Sequence, residues 1–170
     1  MNDEILFSEK QRFRQWWIWV VLLGLNALLI SIISIQIFGE KPSGDDSVSY
    51  TELSIITVLM VLFTIFFYIH CLETIVKKDG IYVRFYPIHR KFKYYGWDTI
   101  NKCYIRKYSP LIEFGGWGIR TGKGGKVTAY NVSGNMGMQL EFTDNNKLLI
   151  GTNKPDELAE VLKKIGKLVE

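Results

Sequence analysis

Few residues in the chain have side chains suited to catalysis or metal binding. Two cysteines, Cys71 and Cys103, and two histidines, His70 and His89, are its soft and nitrogen donors. No Cys-x-x-Cys pair is present, and His89 lies far from the adjacent His70 and Cys71, so the spacing of a zinc site is missing. The thiols therefore read as small packing residues, and no metal is expected. The glycine-rich stretch FGGWGIRTGKGGK, from Phe114 to Lys126, invites a phosphate-loop reading. A phosphate loop needs four residues between its first glycine and Gly-Lys, then Ser or Thr. Here Gly116 leaves five residues before Gly122, Gly118 leaves three, and Gly124 follows Lys123. The stretch reads instead as strand, glycine turn and strand. No Ser, Cys or Lys nucleophile has a local signature, and the acids of the C-terminal block form no constellation. The expectation is a protein that is not an enzyme, with no cofactor and no small-molecule substrate.

Charge is more informative. From Glu73 to Glu170 there are 17 Lys and Arg against 10 Asp and Glu, a net of +7 where the whole chain is +4. The cations fall in groups: Arg90, Lys91 and Lys93; Arg106 and Lys107; Arg120, Lys123 and Lys126. The first group is interleaved with aromatics as HRKFKYYGW. These eight residues are candidates for contact with anionic lipid headgroups or with a partner. Each cation near an anionic leaflet contributes roughly 1 kcal/mol of attraction. No nucleic-acid reader motif accompanies them, so nucleic acid is not an expected partner.

Two elements must position these groups relative to a bilayer. Trp16 to Phe38 and Leu53 to Leu72 hold 23 and 20 residues without an acid, Lys or Arg. At about 1.5 Å per residue, either spans a hydrocarbon core of roughly 30 Å. Trp16, Trp17 and Trp19 at the first span and Tyr68 at the second are candidate interfacial anchors. Between the spans, GEKPSGDDSVSYTE is a turn-rich acidic connector. Six cations flank the pair on one side (Lys10, Arg12, Arg14, Lys77, Lys78 and Arg84), against Lys41 alone in the connector. The excess predicts a multi-pass protein of the inner, plasma membrane with both termini in the cytoplasm. The sequon Asn131-Val132-Ser133 then lies inside and is set aside. The few polar residues of the spans, such as Asn26 and Ser34, read as packing contacts between helices.

The remaining block alternates with period two in short runs: Thr74–Val76, Ile81–Phe85, Phe92–Tyr95, Ile100–Lys107, Trp117–Arg120, Val127–Asn131, Met138–Phe142 and Leu148–Gly151. Asp144-Asn145-Asn146 marks a hairpin turn between the last two. The period then changes. Leu158, Val161, Leu162 and Ile165 form one apolar stripe of a helix, with Asn153 as its expected cap and Pro155 in its first turn.

A small barrel or sandwich closed by one C-terminal helix resembles the pleckstrin-homology (PH) arrangement. WGIRTGKGGKVTAYNVSGNMGMQLEF and LLIGTNKPDELAEVLKKI look like the PH-like domains of bacterial membrane proteins, with Gly151, Thr152 and Pro155 leading into the helix. The opening FSEKQRFRQWWIW with two spans resembles small bacterial membrane proteins of this type. The resemblance implies a fold and carries no catalytic residues. The expected organisation is a cytoplasmic segment at 1–15, spans at 16–38 and 53–72, an extracytoplasmic loop at 39–52, and a cytoplasmic PH-like domain at 73–170. The expected role is a noncatalytic interaction or scaffold module. Its partners are the bilayer and a protein or a second copy, and the alternative is binding of anionic headgroups.

Overall fold

The computed structural model describes residues 4–38, 50–122 and 125–169. Two compact units emerge, one from Met1–Phe13 with His70–Glu170, the other from Arg14–Ile69.

The second unit is a pair of helices, α1 (Trp16–Phe38) and α2 (Tyr50–Ile69). Both are long and apolar enough to cross a membrane. Among the described residues only Leu22 and Asn26 of α1 and Leu53 of α2 are buried, so most of their apolar surface is exposed. The helices are antiparallel: Trp19 meets Tyr68, Asn26 meets Thr64, and Gln36 meets Tyr50. Asn26 Nδ2 donates to Leu22 O at 2.7 Å and to Thr64 Oγ1 at 2.8 Å. The second of these is the helix-to-helix bond expected of a polar residue in such a segment.

The first unit contains a four-stranded antiparallel sheet in the order β1 (Ile5–Arg12), β2 (Cys71–Lys77), β3 (Gly80–Tyr86), β4 (Lys93–Gly96). The second sheet holds β5 (Ile100–Lys107), β6 (Gly118–Thr121), β7 (Val127–Asn131), β8 (Met136–Phe142) and β9 (Lys147–Gly151), in the order β5-β8-β9-β7-β6. β7 and β9 pair in parallel. The sheets are separate, so the expected barrel is not closed. Alternation buries Leu72, Val76, Ile81 and Val83 of the first sheet with Met138, Leu140 and Ile150 of the second. Leu158 and Leu162 of α4 (Pro155–Lys164) complete this core. Leu149 and Ala129 have the opposite parity and form a second cluster with Tyr108 and with Phe114 of the short α3 (Pro110–Phe114).

Three boundaries differ from the sequence reading. Segment 1–15 contains a full strand of the sheet, paired from Ile5↔Lys77 to Arg12↔Cys71. Its inward residues are Phe7, Glu9 and Gln11, two of them polar, so hydrophobic alternation does not reveal it. The second helix starts at Tyr50 and ends at Ile69; Cys71 and Leu72 are apolar because they are buried in β2. Asn153 does not cap α4 with its side chain. Glu9 serves that end from another strand. Its Oε1 accepts from the Asn153 backbone N–H at 2.9 Å, and its Oε2 from the Thr152 hydroxyl at 2.7 Å. A carboxylate there also suits the positive end of the helix dipole. Beside it, Gln11 Nε2 donates to Gly151 O at 2.6 Å.

Candidate functional site

Strand register sets out one end of the first sheet. Arg12 pairs with Cys71, and Cys71 with Tyr86, so the three stand abreast. Here the chain leaves for α1 and returns from α2. The β3–β4 connection, residues 87–92, starts from the same end. Tyr86 at the end of β3 and Ile88 in the connection are 43% and 57% exposed, with Arg90 and Lys91 exposed beside them. The connection is pinned through His89. The His89 backbone N–H donates to Phe85 O at 2.8 Å, and the Phe85 N–H donates to His89 Nδ1 at 3.3 Å. Burial, and then the Lys93 charge, lowers the His89 pKa, which suits an imidazole that accepts at Nδ1. The Arg84 guanidinium lies over Phe92 at 4.5 Å, holding the far side of the connection. The result is an apolar tip with flanking cations on a fixed backbone.

The eight candidate cations do not form one patch. Arg90 and Lys91 lie on the β3–β4 connection, and Lys93 lies on β4 of the first sheet. Arg106 and Lys107 lie on β5, and Arg120 on β6, at opposite edges of the second sheet. Four strand spacings separate those edges, about 19 Å. Arg106 is already engaged: Nη2 donates to Glu113 at 2.8 Å and Nε to Gln139 at 3.1 Å. Arg120 Nε donates to Trp117 O at 3.1 Å. Lys107 and Lys126 are exposed, and Lys123 lies outside the described residues. Of the expected anchors, Trp16, Trp17 and Tyr68 are exposed at 74%, 49% and 60%, and the Trp19 ring meets Tyr68 edge-on at 6.2 Å. The connector that holds Lys41 lies mostly outside the described residues.

A second feature had no signal in the sequence. Between edge strand β4 and the inner face of the second sheet lies an open cleft of about 580 Å³. Tyr95, Thr128, Tyr130, Phe142 and Lys126 line it. The Tyr95 and Phe142 rings are 5.3 Å apart, tilted by 34°. Lys93 Nζ donates to the Tyr130 hydroxyl oxygen at 2.9 Å. Thirty-four residues separate Tyr95 from Tyr130 in the chain, and only the packing of one sheet on the other brings them to one cleft. Among the described residues no three His, Cys, Asp or Glu side chains come together in a way that could hold a metal ion.

A family model matches residues 2–166, described as a family of unknown function (DUF6141). No curated protein and no solved structure matches the chain.

Proposed function

We propose, for a chain that belongs to the family of unknown function DUF6141, a role as a noncatalytic membrane protein. It presents a cytoplasmic PH-like interaction domain and orients that domain on the anionic leaflet. The observation that carries the reading is the alignment of Arg12, Cys71 and Tyr86 at one end of the first sheet. Ile69 ends the second apolar helix two residues before Cys71, and two residues of chain reach about 7 Å. Tyr86 is one strand spacing further, about 4.8 Å. With the helices in a bilayer, the short chain joining them to the sheet lets the 87–92 connection reach headgroup depth. Its chemistry suits that depth: Tyr86 and Ile88 are apolar or amphipathic, and Arg90 and Lys91 match anionic lipid. Attraction of this kind is screened over about 8 Å at physiological salt, so it acts on groups already near the surface. Tethering makes even weak contacts effective.

Other features support parts of this reading. β1 and β2 belong to one sheet, so both flanks of the helical pair share a side. The six-to-one cation excess supports the cytoplasm as that side. Two sheets with a C-terminal helix closing the core resemble the PH arrangement, and the parallel β7–β9 pair departs from a simple meander. The thiols are poor nucleophiles: burial pushes Cys103 up to about 12 and raises Cys71.

The test is depth. Full-length protein carrying Ile88→Cys, labelled with an environment-sensitive dye, is placed in nanodiscs containing lipid-borne quenchers. Quenching is expected in discs with anionic lipid, reduced by salt and by Arg90→Gln with Lys91→Gln. A label at Asp144→Cys, beyond the opposite end of the second sheet, serves as control. Equal, weak quenching at both positions in anionic and neutral discs would overturn the proposal.

A further inference from the structure

The 108–117 connection carries the chain from β5, one edge of the second sheet, to β6, the other. Its short helix α3 is closed at both ends. The Ser109 hydroxyl accepts from the Ile112 N–H at 3.4 Å, and the Ser109 N–H donates to Glu113 Oε1 at 2.8 Å. Gly115, in the left-handed region at a φ of 70°, ends the helix. Its N–H donates to Leu111 O at 3.0 Å, and the Gly116 N–H to Pro110 O at 2.8 Å. Phe114 is buried in the cluster with Tyr108, Ala129 and Leu149, and the Arg106–Glu113 ion pair ties the helix to β5. On this fixed backbone Leu111 and Ile112 are nevertheless 64% and 84% exposed. Two adjacent aliphatics held outward differ from the single exposed apolar residues that need no explanation.

Register places this connection at one end of the soluble unit. Arg106 pairs with Gly137, and Gly137 with Gly151. Gly151 O accepts from Gln11 Nε2, and Gln11 precedes Arg12, where β1 ends. At the other edge β6 starts at Gly118, opposite Asn131, one residue beyond the Tyr130–Ile150 pair. Both ends of the connection are therefore level with the end of β1, from which the chain leaves for the apolar helices. The charge around α3 is positive. Between Lys107 and Lys126 the one acid is Glu113, and Arg106 offsets it. Lys107 is exposed before the helix, and Arg120 is exposed after it. Arg120 Nη2 lies 3.6 Å from where a Cβ at Gly116 would sit, beside the end of α3.

We propose that α3 is a second membrane contact. Leu111 and Ile112 sit at the boundary between headgroups and acyl chains of the anionic leaflet, with Lys107 and Arg120 among the headgroups. This rests on the membrane-facing orientation given under the function above. The occupant is the bilayer for two reasons. An apolar tip with basic flanks is the chemistry of an interfacial segment on anionic lipid. The same end of the unit carries the short tether to the apolar helices. The 87–92 connection and α3 belong to different sheets, so the pair restricts the tilt of the unit, which a single contact leaves free.

Full-length protein with a nitroxide on Ile112→Cys is placed in nanodiscs containing anionic lipid. Its collisions are read with oxygen, which concentrates in the bilayer, and with a water-soluble nickel chelate. Ile88→Cys and Asp144→Cys carry the same label in separate samples. At Ile112 oxygen collisions are expected to dominate, as at Ile88. Nickel collisions there should be at least about twofold rarer than at Asp144, because the site lies within the apolar boundary. Lys107→Gln with Arg120→Gln should raise nickel access at Ile112, and added salt should act in the same direction. Free nickel access at Ile112 with oxygen dominant at Ile88 would overturn this contact and leave the orientation through the 87–92 connection standing. Free nickel access at both positions would overturn both. Few collisions with either reagent at Ile112 would mean that protein, a partner or a second copy, covers α3, and would overturn the bilayer as its occupant.

Discussion

Glu73 shows how one side chain joins three strands. Lys10, Glu73 and Arg84 stand abreast on β1, β2 and β3. Lys10 Nζ lies 2.6 Å from the Glu73 carboxylate, and Arg84 Nε donates to its other oxygen. Burial alone would raise the Glu73 carboxyl, but these two hydrogen bonds and charges hold it below its ordinary 4.5. A depressed carboxyl contributes stability above its unfolded value and loses it as pH falls through the folded one. The Lys10 side chain is 52% exposed, so the net effect is small, about 1 kcal/mol. Glu73→Gln should therefore lower the thermal midpoint near neutral pH. The gap to wild type should close as pH falls from about 5 to about 3. A constant gap across that window would show that the carboxylate charge is not the source. Glu9 acts at the same scale for a different junction: one carboxylate from the first strand receives the Thr152 hydroxyl and the Asn153 amide where α4 begins.

Among the elements, α4 depends most visibly on one apolar stripe. Leu158 and Leu162 are 1% and 0% exposed, and Val161 and Ile165 pack at the margin. Leu162→Ala in the full-length protein should cost about 2 to 5 kcal/mol. Chemical denaturation measures it, and a loss under about 1 kcal/mol would mean that the helix does not close the core. This stripe was legible in the sequence because a period near 3.6 needs only local residues. So was the β8–β9 turn, where Asn145 adopts a positive φ of 65°. β1 was not legible, because two of its three inward residues are Glu9 and Gln11. The end of α2 was hidden because no acid, Lys or Arg interrupts the run from Ile69 through Leu72, which passes from helix into strand. α3 has only five residues, too few to show a period. At the site, the run from Arg90 to Lys93 was legible as charge. The pairing of Arg106 with Glu113 was not, since it depends on a turn between them. The tyrosine pair in the cleft depends on contact between the two sheets, which no local pattern encodes.

For the whole molecule, the two apolar helices come, in chain order, between two strands of one sheet. If both cross the bilayer, the segment before Trp16 and everything after Ile69 share a side. Reporters active only outside the cytoplasm should stay silent when fused after Glu170 and become active when inserted at Gly44. The opposite pattern would reverse the assignment and remove the anionic leaflet from the loop's reach. The pairing of β1 with β2 also imposes an order on biosynthesis. Fifty-eight residues separate Arg12 from Cys71, so the first strand leaves the ribosome long before its partner exists. Until then it is an unpaired edge of the kind that invites aggregation. If both helices cross, the sheet gains its fourth strand only when the chain has returned to the starting side. If the hairpin inserts, completion of the first sheet is thereby made conditional on that insertion. A chain stalled after one helix would leave Glu9 and Gln11 without Thr152, Asn153 and Gly151, an incomplete product that quality-control proteases could recognise.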